Sequence, residues 1–270
     1  MIDFIENTDW LNREPPYAFK WDHLLLIFLF VGIGVLVGFL LRNKQRKTIT
    51  IVLVSLWGFY VDLELFYYIY IYVRSAQYPG MFPFDKETML PLHSCLMFMY
   101  IFPFAIFSKN RIIMTAVNNY LVIVNMIMGF ITLFVGCPAS GCSALSFFGL
   151  QTIIYHSIDV IVPLIMLITR YYDLKKNDVY YGLVLFGILA LTIWIFDAIA
   201  GCDYFYFYDG HTFPVFGFIS NNVPAIVWTL IVVSCYVITA FATHYAVLGI
   251  KYLVHKKEHD QVLKEENNKI

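Results

Sequence analysis

Seven apolar stretches run through the chain, at about 22–41, 49–73, 89–107, 112–135, 150–169, 179–200 and 223–249. Each is close to the roughly 20 residues that a helix needs to cross the hydrocarbon of a bilayer. Hydrocarbon offers no water to an open backbone, so such spans fold as helices. The sequence therefore predicts an all-α fold, a polytopic membrane bundle of seven transmembrane helices. Composition agrees: 60% of the residues are hydrophobic and 14% charged. A soluble domain of this length cannot hide so much apolar surface. The least regular stretch is 89–107, which carries Pro91, His93 and Pro103.

Basic residues give the direction. All but four of the 18 lie in the segments 42–47, 109–111, 170–176 and 251–269, which alternate crossings bring to one side. The four on the other side are Arg13, Lys20, Arg74 and Lys86. Lys and Arg mark the cytoplasmic side, so the N-terminus is expected outside and the C-terminus inside. Residues 1–21 read as an acidic, aromatic outer segment without the basic start of a signal peptide. Residues 22–250 read as one membrane domain and 251–270 as a charged, solvated tail. A net charge of −1 points to no nucleic-acid partner. The outer segment 203–218 (DYFYFYDGHTFPVFGF) is dense in Phe and Tyr and suits a belt at the membrane interface; a lid over a site at that face is the alternative.

Ionisable side chains in hydrocarbon are costly and face a bundle interior or a wet cavity. The spans hold Asp62 and Glu64, His93 and Cys95, His156 and Asp159, Asp197, and His244. Cys95 and His156 each fall about six residues into their span, roughly 9 Å below the outer boundary. Asp159 shares a helical face with His156, and Glu64 reaches a similar depth from the other direction. Asp62 points away from Glu64, and His93 is turned well away from Cys95. His244 lies near the inner edge. Asn118, Asn119 and Asn125 suit hydrogen bonds between helices. A thiol and an imidazole that meet in a bundle make an activated nucleophile; packing and interhelical bonding are the plainer roles for each. Pro91 suits the first turn of a helix, which would set Cys95 near a helix N-terminus, where the dipole favours a thiolate. Hydrocarbon disfavours any charge, so a base is needed, and His156 is the one at that depth.

Cys137 and Cys142 (CPASGC) would share an outer loop region with Cys202. They suit a structural role, either closing a small loop or tying one of the pair to Cys202, more than a metal site.

At LPLHSC and at the lone histidine of QTIIYHSID, the chain resembles the YwaF-type integral membrane proteins. Those are similar to the eukaryotic transmembrane protein 164 family of phospholipid acyltransferases. The resemblance rests on seven spans, the Leu-Pro-Leu-x-x-Cys opening of the third, the His of the fifth and the aromatic loop before the last. It departs at AGCDYFYF, where YwaF relatives carry an Asn-rich stretch. The resemblance implies a multi-pass protein of a bacterial cell membrane, with phospholipid and lysophospholipid as substrates and no cofactor. It also implies transfer of an acyl group through a Cys95 thioester with His156 as base. Asp159 or Glu64 would orient His156, and Ser94 or backbone N–H groups would stabilise an oxyanion. His93 would line the pocket.

Two other classes compete. An ion-coupled or small-solute transporter would use the buried carboxylates Asp62, Glu64, Asp159 and Asp197, although no paired repeats are visible. A membrane zinc hydrolase would use His93, His156 and Glu64. A retinal protein is excluded, because the stretch 223–249 has no lysine for a Schiff base.

Overall fold

The computed structural model describes residues 20–77, 92–136, 147–208 and 214–267. In chain order the helices are α1 (Trp21–Leu41), α2 (Arg46–Gln77), α3 (Met97–Phe107), α4 (Arg111–Phe134), α5 (Phe147–Ile168), α6 (Asp178–Ala200), α7 (Pro214–Asn222) and α8 (Ala225–Asn267). There is no strand among the described residues. Six helices, all but α3 and α7, are long and apolar enough to cross a membrane. Their outer faces are dressed for lipid: Phe28, Leu36, Phe66, Val184, Ile199 and Leu230 all stand exposed.

The expected crossing at 89–107 differs from the rest. Its helix, α3, has 11 residues, about 16 Å of rise against a hydrocarbon core of about 30 Å. It follows a tight turn in which the N–H groups of Leu96 and Met97 both donate to the His93 carbonyl. Pro91 lies outside the described residues. α8 runs on as helix into the charged tail as far as Asn267, 43 residues in all. That is longer than any crossing needs, so its C-terminal part extends beyond the hydrocarbon.

α4 and α5 form the centre of the bundle; 67% and 72% of their most apolar windows are buried, against 22% for α1. Small residues let the other helices approach them. Gly34 and Gly38, four apart on α1, meet Ile161 and Ile168 of α5. This is the small-xxx-small spacing that brings membrane helices into close van der Waals contact. A Cβ at Gly34 would stand 2.6 Å from Ile161 Cγ2, a branch atom next to the backbone that cannot simply swing aside. On α6, a Cβ at Gly182 would collide with the Asn119 side chain of α4.

The basic segments gather at one end. Arg46 lies 4.0 Å over the Tyr171 ring and donates to the Tyr171 carbonyl. Lys251 pairs with Asp173 and donates to the Leu174 carbonyl. His244 Nε2 hydrogen-bonds the Lys176 carbonyl at 3.2 Å, so that nitrogen carries the proton and Nδ1 accepts from Asn119 at 3.1 Å. Burial, and then the bond to Asp178, hold the Tyr172 hydroxyl protonated well above the usual phenol range. α2, α5, α6 and α8 are thus stitched together where the basic residues lie.

Overpacking at a close contact costs about 1–3 kcal/mol. Gly34→Ala should therefore lower the thermal unfolding temperature of the purified protein. Gly32→Ala on the same helix, where nothing stands within 4 Å of a new Cβ, should leave it unchanged or slightly raised. Equal melting of the two variants would show that α1 does not depend on this contact.

Candidate functional site

The bundle centre is built around a buried carboxyl group. Asp159 is 0% exposed. Its Oδ1 accepts from Asn125 Nδ2 at 2.9 Å, and its Oδ2 lies 3.3 Å from His156 Nδ1. His156 and Asp159 are three apart on α5 and so stand on one face. Against an ionised Asp159 carboxylate, which can only accept, Nδ1 carries the proton of the neutral ring and Nε2 keeps its lone pair. Asn125 comes from the facing helix. α4 widens there into a π turn, Leu121–Asn125, whose residues are all buried. Such turns re-aim side chains and recur at functional sites. One turn further on, Gly129 makes the approach possible: a Cβ there would stand 2.6 Å from Asp159 Cβ and 3.0 Å from the His156 carbonyl oxygen.

Cys95 is half-buried in the turn that leads into α3. Its thiol lies beside the backbone N–H groups of Cys95 and Leu96 and within electrostatic range of Asp159 and Glu64. Tyr60 of α2 joins it to the centre. The Tyr60 hydroxyl donates to the Cys95 carbonyl at 3.3 Å and lies beside the Asp159 carboxylate. The Tyr60 ring packs edge-on to Tyr155 at 5.7 Å and to Phe98 at 4.9 Å, and Tyr155 in turn lies 4.0 Å from the His156 ring. Sequence reading named neither Tyr60 nor Tyr155, because a tyrosine in an apolar helix looks the same whether it faces lipid or a site.

The remaining candidates have separate partners. Ser94 accepts from the Tyr236 hydroxyl at 3.1 Å. His93 Nδ1 donates to the Tyr204 carbonyl at 3.0 Å, and the ring lies within electrostatic range of His156. Glu64 is buried and hydrogen-bonded to Gln151 and Tyr68, not to His156. Asp62 is exposed. Asp197 accepts from the Tyr204 N–H at 3.0 Å. The zinc reading is corrected: among the described residues, no three His, Cys, Asp or Glu side chains gather to hold a metal.

The aromatic segment after α6 is not an interfacial belt over its described part, 201–208. Gly201 ends α6 in the left-handed region, φ 68°, with its N–H on the Asp197 carbonyl. The chain then turns inward and buries Tyr204, Phe205 and Phe207. Trp228 donates to the Tyr206 carbonyl at 2.9 Å and Thr229 to the Phe207 carbonyl at 2.8 Å. Tyr206 itself is held at φ 59°, a conformation that costs a bulky residue about 1–3 kcal/mol, with its ring stacked on His93. Aromatic density alone does not distinguish a belt from a buried cap, whereas the hydrogen bonds of the described loop do. The loop thus caps the end of the bundle that holds His93, Ser94 and Cys95. Cys137 and Cys142 lie outside the described residues; Cys202 is buried at the C-terminus of α6.

The TMEM164 family model matches residues 18–245. The match takes in Cys95, His156, Asp159, the capping loop and the six long helices almost to the point where α8 leaves the membrane. No curated protein and no solved structure matches the chain. With well over half of its length matched, this multi-pass integral membrane protein belongs to the TMEM164 family.

Proposed function

We propose that the protein is a membrane-embedded transacylase that moves a fatty acyl group between phospholipids through Cys95. The reading is carried by the oriented imidazole: Nδ1 of His156 is committed to Asp159, Asp159 is held by Asn125, and Nε2 is left as the base. The resemblance to acyltransferases of this family supports it, as does the chemistry of a half-buried thiol beside backbone N–H groups.

In this mechanism His156 Nε2 takes the Cys95 proton as the sulfur attacks an ester carbonyl of a phospholipid. The tetrahedral oxyanion meets the N–H groups at the head of α3 or the Ser94 hydroxyl. Collapse breaks the ester C–O bond, and the leaving lysophospholipid alkoxide takes the proton from His156. A thioester on Cys95 remains. A second lysophospholipid hydroxyl gives its proton to His156, attacks the thioester and leaves with the acyl group, restoring the thiol. Water in place of that hydroxyl gives lipase activity. No metal or cofactor enters this scheme. An apolar groove of about 130 Å³ between α4 and α8, lined by Ile123, Ile127, Val232 and Tyr236, has room for a short part of a fatty chain. In the same reading the capped end faces outside and the basic end the cytoplasm of a bacterial cell membrane, residues 22–250 form the membrane domain, and the seventh crossing is made by the whole 89–107 segment, of which α3 is only a part.

Incubation of the purified protein with an acyl-labelled phospholipid should leave a hydroxylamine-labile mass on Cys95, read by mass spectrometry. Cys95→Ala should carry no adduct and show no turnover; wild-type rates in that variant would end the proposal. Asp159→Asn should lower kcat roughly 10²- to 10⁴-fold, the range of a mis-set general base, with a smaller change in KM. An unchanged kcat in a folded Asp159→Asn protein would remove Asp159 from the mechanism.

A further inference from the structure

At the basic end, on the side of the bundle away from the aromatic cap, a cleft of about 440 Å³ opens between the starts of α2, α4 and α6. Three cationic side chains line it, Arg46, Arg111 and Lys175, each at or just before the first turn of a helix. Helix N-termini and basic side chains together favour an anion. The two acidic residues on its wall are already engaged. Asp178 accepts from the Tyr172 hydroxyl at 2.7 Å and from the Lys175 N–H at 2.9 Å, and Asp173 pairs with Lys251. Arg46 is fixed in place by its stacking on Tyr171 and its bond to the Tyr171 carbonyl, which occupies one of the five N–H donors of a guanidinium.

The independent observation is at the inner wall. Asn118, two helical turns beyond Arg111, is 3% exposed, lines the cleft, and its Oδ1 has no hydrogen-bond partner. A buried carbonyl oxygen left without a donor costs about 1–3 kcal/mol. The Oδ1 atoms of its neighbours Asn119 and Asn125 also lack a partner, while their Nδ2 groups bond to His244 and Asp159. Where Asn118 differs is in facing the cleft.

We propose that this cleft binds a phosphate ester that also offers a hydroxyl or ammonium donor, the phosphate held by Arg46 and Arg111 and the donor received by Asn118 Oδ1. Both a glycerophospholipid headgroup and a soluble sugar or glycerol phosphate have this chemistry. Basic pockets between membrane helices commonly take lipid headgroups, and exposed Ile112 and Tyr181 flank the opening. The proposal does not rest on the chemistry of Cys95, and its failure would leave that reading untouched.

The test uses the full-length protein, purified and delipidated in detergent, with two ligand arms. One arm titrates glycerol 1-phosphate and, as a probe without a donor group, methyl phosphate, by calorimetry. The other places the protein in nanodiscs with phosphatidylglycerol and counts retained lipid by native mass spectrometry. Wild type should bind in at least one arm; saturation by glycerol 1-phosphate marks a soluble ligand, and retention of lipid alone marks a headgroup. The variant Arg46→Gln/Arg111→Gln should weaken binding at least tenfold while still unfolding cooperatively, and Arg111→Gln alone, which leaves the Arg46–Tyr171 contact in place, should weaken it severalfold. Asn118→Leu should weaken glycerol 1-phosphate about fivefold or more and leave methyl phosphate unchanged. No binding in either arm, or wild-type affinity in the arginine double variant, would overturn the proposal.

Discussion

A carboxyl group deep in hydrocarbon is tolerated only when other groups hold it, and in this protein that constraint falls on Asp159. It fixes a rotation of α5 that turns His156 and Asp159 together toward the bundle axis. It requires α4 to come close enough for Asn125 to donate, which needs both the π turn at Leu121–Asn125 and the missing side chain of Gly129. α1 is then free to pack on the far side of α5 through Gly34 and Gly38. Most of the central geometry follows from satisfying one side chain.

The two ends of the bundle use polar groups in different ways. At the capped end, side chains bond to backbone carbonyls of a loop folded in on itself: His93 to Tyr204, Trp228 to Tyr206, Thr229 to Phe207. That arrangement covers and orders. At the basic end, cations ring a cleft whose acidic walls are already occupied, and an amide oxygen at its base lacks a partner. That arrangement is open to a ligand. Tyr60, Tyr120 and Tyr155 lie within electrostatic range of Cys95, and none of them lines the cleft.

Much of this was legible in residue order. The long apolar stretches fall on the long helices within a few residues, because hydropathy and length are the quantities the bilayer selects. Depth arithmetic grouped Cys95, His156, Asp159 and Glu64, and spacing chose Glu64 over Asp62 as the inward-facing carboxylate. Depth could not tell that Asp159, and not Glu64, holds the imidazole. That depends on how two helices rotate about their axes, and on a π turn that hydropathy does not register. The length of α3 was hidden for a similar reason: an apolar run looks the same whether it is helix throughout or a turn followed by a short helix. The Gly34–Gly38 spacing also stands in residue order and carries its own packing mechanism, but small residues in an apolar run do not show which helix they will meet.

Tyr206 gives the cap a particular character. Its backbone sits in a basin that a tyrosine leaves readily, and it is retained there by the indole of Trp228 and by contact with His93. One part of the native fold thus gains by letting go. The energy already stored in that residue offsets part of the loss when the three buried rings around it are displaced. Displacing the cap therefore takes less work than its packing alone suggests.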